Sequence, residues 1–366
     1  MLCVTNKKRR FFLMKEKRNL LIAGVIIGVI SVFLVLNGNP KNMGFCIACF
    51  IRDIAGATKL HTAAVVQYVR PEILGLVIGS FLISLCFKEF KPRGGSAPVT
   101  RFVISFIVMI GALTFLGCPF RMILRLAGGD LNALVGLFGF ACGIGCGAFF
   151  LSKGFNLGRA HEQRTLEGAA LPAVNVLLLV LFLAIPALFA FSEKGPGSMH
   201  APVILSLAAG LAVGILAQKT RLCMVGGIRD TILLKDATLL IGFIAIFASA
   251  LVMNLVTGNF NPGFAGQPVS QPDQVFNFLG MFTVGLGGAL LGGCPLRQLI
   301  LAGEGNSDSA VSVLGMFVGA AFAHNFKLVG NATEAGPNAY GKTAVILGIA
   351  VLLVIGWYYT YKKKEA

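Results

Sequence analysis

An all-α, multi-pass membrane protein is the fold this sequence predicts, on three observations. Hydrophobic residues make up 56% of its 366 positions and charged residues only 13%, which lies outside the range of soluble domains. About ten segments are apolar and long enough to cross a bilayer, near 20–36, 71–87, 102–117, 131–151, 172–191, 201–218, 237–256, 275–291, 309–326 and 343–361. Two different cysteine motifs each occur twice, in the same order and at matched spacing, as an internal duplication would leave them.

Taken in order, the chain opens on a basic stretch, Lys7–Arg18, within which Met14 is an alternative start. The run at 20–36 has the length of a signal-peptide core. Further spans follow it and no small-residue cleavage site closes it, so it reads as the first membrane helix. Four stretches, about 42–56, 118–129, 222–235 and 294–305, are rich in glycine and cysteine and too short to span. They are expected to be re-entrant segments, since irregular backbone at membrane depth is tolerated only where protein or water covers it. The polar connection 156–171 is expected to be partly helical. The connection 258–274, with prolines at 262, 268 and 272, is expected to be a stiff external loop.

With the N-terminus in the cytoplasm, this layout puts 22 of the 31 Lys and Arg residues on the inner side and nine outside. That bias fixes the orientation and predicts both termini inside. Trp357, Tyr358, Tyr359 and Tyr361, beside Lys362–Lys364, form an interfacial belt against lipid. The net charge of +16 follows this distribution, and no nucleic-acid module accompanies it. The expected organisation is a basic cytoplasmic tail (1–19), a first membrane repeat (20–156), a linker with an intervening transmembrane helix (157–200), a second repeat (201–330), and a final transmembrane helix with a basic C-terminus (331–366).

The repeat rests on named residues. GFCIACFIRD at 44–53 and RLCMVGGIRD at 221–230 both place a cysteine, Cys46 or Cys223, six residues before an Arg-Asp pair. CPFR at Cys118 and CPLR at Cys294 are the second landmark, 72 and 71 residues further on. One extra crossing between the halves inverts the second copy, the arrangement of many transporters with a central site. Cys46 and Cys118 would then enter from outside and Cys223 and Cys294 from the cytoplasm, giving a sulfur-lined path.

The chemistry suits an anion. Arg52, Arg121, Arg229 and Arg297 each follow one of these cysteines, and guanidinium is a planar donor suited to oxyanions. Half-helix N-termini add free amides. Asp53 and Asp230 directly follow Arg52 and Arg229, so those two arginines are expected to pair and anchor, leaving Arg121 and Arg297 as the better candidates for substrate contact. A thiol offers a soft anion a weak S–H donor, and passage needs contacts that are weak and multiple.

Other features carry less. Cys46 and Cys49 form a CxxC, but the matching position in the second half is Gly226. Cys142 and Cys146 lie one helical turn apart in a glycine-rich span and are accessory thiols at most, while Cys86 reads as a small buried hydrophobe. GFACGIGCG at 139–147 and GMFTVGLGGALLGG at 280–293 have the small-residue spacing of close membrane-helix contacts. GPNAYGKT at 336–343 fits a phosphate-loop pattern formally, yet lacks the α/β context that pattern needs. The lone histidines 61, 161, 200 and 324 have no ligand spacing, and no metal or cofactor is expected. Asp130 and Glu304, just after the CP segments, are placed to counter nearby arginines. No acid recurs in both halves at a span centre, so proton coupling has no evident carrier.

At the CPFR/CPLR pair and the RLCMVGGIRDTILLKD and GGCPLRQLILAGEG stretches, the sequence resembles the YeeE/YedE family of sulphur-transport membrane proteins, and most closely its YedE-type selenium transporter branch. The resemblance covers nearly all of 20–361. It implies a compact helical protein with pseudo-symmetric halves, not an enzyme, that imports a small selenium- or sulfur-containing anion such as selenite or thiosulfate. The family's path cysteines pass the ion inward by weak S–H contacts, which carries over to Cys118 and Cys294, with Cys46 or Cys223 as further path thiols. A cytoplasmic sulfur- or selenium-carrier protein is the implied partner. The alternative is a membrane thiol/disulfide redox protein using Cys46 and Cys49.

Overall fold

The computed structural model describes residues 2–330, 332 and 336–361, with side chains from residue 14 onward. Lys362–Lys364 and the side chains of Lys7–Arg10 lie outside the described residues. Fourteen α-helices follow one another among them: α1 (Leu2–Leu36), α2 (Ile47–Ala57), α3 (Pro71–Cys86), α4 (Pro98–Thr114), α5 (Pro119–Ala127), α6 (Asn132–Ser152), α7 (Thr165–Ala184), α8 (Val203–Thr220), α9 (Met224–Leu234), α10 (Thr238–Val256), α11 (Gln274–Leu291), α12 (Pro295–Gly303), α13 (Ser307–Asn325) and α14 (Ala339–Tyr361). The described strands are two residues each, Arg93–Gly94 paired with His161–Glu162.

Eight helical runs are long and apolar enough to cross a membrane, and the chain is a multi-pass helical membrane protein. Two of the ten expected spans fall outside that group. α3 is apolar but has only 16 residues, and α13 carries Asp308, His324 and Asn325. Three of the eight runs are broken helices, α4–α5, α8–α9 and α11–α12. The breaks have local causes. Leu116 (φ +61°), Arg221 (+55°) and Gly292 (+81°) take the left-handed conformation, and Pro119 and Pro295 open the following helices where a missing N–H costs nothing.

Long and short helices alternate identically in α1–α6 and α8–α13: long, short, long, long, short, long. Packing crosses between the two sets. α1 lies on α10 and α3 on α8, while α6 lies on α11 and α4 on α13. The α6–α11 and α4–α13 crossings share one register. A Cβ on Gly139 or Gly143 would strike the carbonyl oxygens of Phe278 or Phe282, and one on Gly315 or Gly319 those of Phe102 or Phe106. Each residue stands at the same interval from its own Cys-Pro motif as its counterpart. Close approach of this kind drives helix association where lipid supplies no hydrophobic force.

The loops repeat the exchange. In the 257–273 connection, Asn261 and Gly263 donate to the carbonyls of Gly128 and Gly129 after α5. In the 87–97 connection, Lys91 and Arg93 donate to those of Glu304 and Gly305 after α12. α7 stands between the sets and packs on α3 and α12, and α14 packs on α11 and α4.

Candidate functional site

The four motif cysteines occupy one structural position each. Cys46, Cys118, Cys223 and Cys294 are the N-cap residues of the four short helices α2, α5, α9 and α12. Their extended backbone ends the preceding coil and leaves the first amides of each helix without a partner inside that helix. The Cys46 thiolate or thiol sulfur accepts from the Cys49 N–H at 3.3 Å, and the Cys223 sulfur from the Gly226 N–H at 3.2 Å. At Cys118 and Cys294, each followed by proline, the side chain makes no capping hydrogen bond to its own helix.

Those two sulfurs reach instead toward the other short helix of their half. Cys118 Sγ accepts from the Ile47 N–H at 3.2 Å, at the start of α2. Cys294 Sγ lies 4.0 Å from Cys223 Sγ at the start of α9. Each half thus folds its two distant cysteines into one group, and all four are at most 5% exposed. Such a group places thiols at the N-termini of short helices, a setting that suits a small anion with a soft atom.

The arginines divide. Arg52 pairs with Asp53 at 2.7 Å, both buried, and Arg229 with Asp230 at 2.8 Å, both partly exposed. Arg297 pairs with Glu304 at 3.1 Å. Arg121 is wholly buried and meets backbone oxygens: it donates to the carbonyls of Asn42 (3.2 Å), Val269 (3.1 Å) and Leu116, and its Nη1 lies 3.9 Å from Cys49 Sγ. Gly128 occupies the position that Glu304 holds in the other half, so Arg121 has no acid there.

The remaining candidates sit apart from the thiol groups. Cys142 is exposed and Cys146 half-buried on the outer side of α6, and Cys86 is exposed at the end of α3 rather than buried. His61 and His324 stack at 4.6 Å, and no metal-holding group of His, Cys, Asp and Glu occurs among the described residues. α14 begins at Ala339, inside GPNAYGKT, with no strand leading into it among the described residues.

Sequence reasoning missed four buried ionic residues, one of them Asp308, which accepts from Ser96 Oγ at 2.6 Å and lies 3.8 Å from Arg101. Arg70 shares Asp53 with Arg52, also at 2.7 Å. Arg125 pairs with Asp130 at 2.7 Å while donating to Phe115 O and to Ser270 Oγ. Glu72 is wholly buried at the start of α3. The only sequence cue for any of them was Asp130 as a counter-charge, because burial of an ionic side chain depends on the elements packed around it.

A helical membrane protein with two buried thiol groups at helix N-termini is therefore the class that fold and site define. Residues 219–366 match the Sulphur transport family. The chain is 32% identical over 114 residues to the thiosulfate transporter TsuA of Spirochaeta thermophila, a stretch covering 31% of this chain and 34% of that protein. The chain thus aligns with about a third of the length of that relative. The family match lies in the second half of the chain and bears on that part alone.

Proposed function

We propose that this protein imports a small sulfur- or selenium-containing anion, thiosulfate or a selenite-like species, across the bacterial inner membrane by way of Cys46, Cys118, Cys223 and Cys294. The observation that carries the reading is the placement of all four cysteines as N-caps of short helices, gathered two by two. The matching element order, the crossed packing and the shared glycine register support an inverted repeat of two six-helix units. The four short helices are then re-entrant, two from each side.

In this reading Cys46 and Cys118 form the outer group and Cys223 and Cys294 the inner one. A polar cavity of about 200 Å³, lined by Lys41, Asn42, Asn254 and Asn261 among others, adjoins Arg121 through Asn42 and Pro268. It serves as the vestibule. Arg121, with no acid beside it, draws the anion toward the outer thiols. Near the inner thiols Glu304 offsets Arg297, which weakens the hold and favours release. Because the thiols are almost completely covered, passage requires the short helices to part.

Thiosulfate is the first substrate to test, since the matched relative carries that name. Purified protein in liposomes is expected to take up labelled thiosulfate or selenite, with sulfate competing poorly. Cys118→Ala and Cys294→Ala are each expected to lower flux at least tenfold while the protein stays folded. Uptake no faster than in empty liposomes, for every one of these anions, would remove the proposal.

A further inference from the structure

Glu72 is a buried carboxyl group with one oxygen that lacks a partner. Its side chain is wholly buried. Oε1 accepts from Asn39 Nδ2 at 2.9 Å and from Ser206 Oγ at 3.1 Å, both neutral donors. Oε2 is buried without any partner, and so is the hydroxyl of Tyr68. Glu72 forms no ion pair among the described residues. Arg70, two residues away, is already committed to Asp53 and to the carbonyls of Met199 and Pro196.

Tyr68 is held in place rather than loosely disposed. Its ring stacks on His200 at 4.1 Å and meets Phe182 edge-on at 6.0 Å. Burial, and after it the nearby Glu72 charge, push its hydroxyl up to about 12, so the oxygen is that of a neutral phenol. The site therefore offers one carboxylate and neutral oxygens, with no sulfur or imidazole ligand assigned to it. A buried carboxylate left unpaired costs several kcal/mol, and orphan buried oxygens call for an unseen partner.

We infer that Glu72, Tyr68 and Ser206 form a binding site for a small monovalent cation of the sodium class. Oxygen ligands select hard cations, and one carboxylate matches a single positive charge. Asn39 connects the site to the path: besides Glu72 it donates to Gly44 O at 3.1 Å and accepts from Ala201 N at 2.8 Å, so it ties the coil just before Cys46 to α3 and α8. A cation at Glu72 fixes that coil, and with it the Cys46 end of α2. Coupling of cation to anion movement rests on the transport reading; the binding site itself does not.

The test is sodium binding to the purified full-length protein, measured with radioactive sodium and by thermal unfolding in sodium, lithium, potassium or choline chloride at equal ionic strength. Sodium is expected to bind at one site per chain and to raise Tm by about 2–4 °C over choline. Glu72→Gln should fold in choline and lose both effects. Tyr68→Phe and Ser206→Ala, which keep the carboxylate, should weaken sodium binding about tenfold. Absence of sodium binding, or a sodium effect that persists in Glu72→Gln, overturns the inference. So does a gain in stability on acidification that is equal in sodium and choline, which would put a proton on Glu72. Transport failing in liposomes while sodium still binds would count against the proposed function alone.

Discussion

The two Cys-Pro segments, Cys118–Arg121 and Cys294–Arg297, share a sequence pattern and a fold, yet their arginines have opposite surroundings. Arg121 is sealed among carbonyl oxygens, with a third thiol, Cys49, 3.9 Å away. Arg297 is partly exposed and paired with Glu304. The difference traces to two positions, Gly128 against Glu304 and Cys49 against Gly226. At the second of these a Cβ on Gly226 would stand 2.9 Å from Leu239 Cδ1 and 3.2 Å from Cys223 Cβ, so a side chain there requires the end of Leu239 to move. Two segments of one pattern can thus keep the same backbone while the charge beside their arginines diverges.

The largest effect expected of a change in this comparison is on folding. Arg125–Asp130 is a buried pair, and the corresponding positions of the second half are Leu301 and Asn306. Asp130→Asn leaves Arg125 uncompensated and should cost about 3–5 kcal/mol, read as loss of the monodisperse protein in detergent. The double change Arg125→Leu with Asp130→Asn copies the second half and should recover much of that loss. If the single variant is as stable as wild type, the Cys118 segment does not depend on its extra ion pair.

Next comes Arg121→Gln. Removing a charged donor worth about 1.5–3 kcal/mol should raise the substrate concentration for half-maximal uptake roughly tenfold to a hundredfold. Arg121→Lys, which keeps the charge without the planar fork, should lie between. Equal affinities in all three proteins would show that the unpaired arginine plays no part in capture.

Glu304→Gln should have a smaller effect, in the opposite sense. It leaves Arg297 free, so the inner end should hold the anion more tightly and maximal uptake should fall by about twofold to fivefold. Unchanged uptake would mean that release does not depend on that pair.

Cys49→Gly is expected to do least, changing flux by no more than about twofold, because the second half forms the same short helix with Gly226 at this place. Abolished activity in Cys49→Gly, with Cys118→Ala still active, would replace the transport reading by a Cys46–Cys49 thiol/disulfide one.

The sequence alone determined the membrane class, the short helices and the paired motifs. Long apolar runs leave the backbone no other way to satisfy its hydrogen bonds in lipid, and left-handed or proline-marked breaks such as Gly292 and Pro295 set where those runs end. Gly139 and Gly143 were legible as a contact face for the same reason. Only the tertiary structure decided that Cys118 meets α2 and Cys294 meets Cys223, that Asp53 holds two arginines, and that Glu72 lies buried with one oxygen unpaired. Those facts depend on which distant segments pack side by side, and burial and charge pairing are properties of that packing, which neither spacing nor composition encodes.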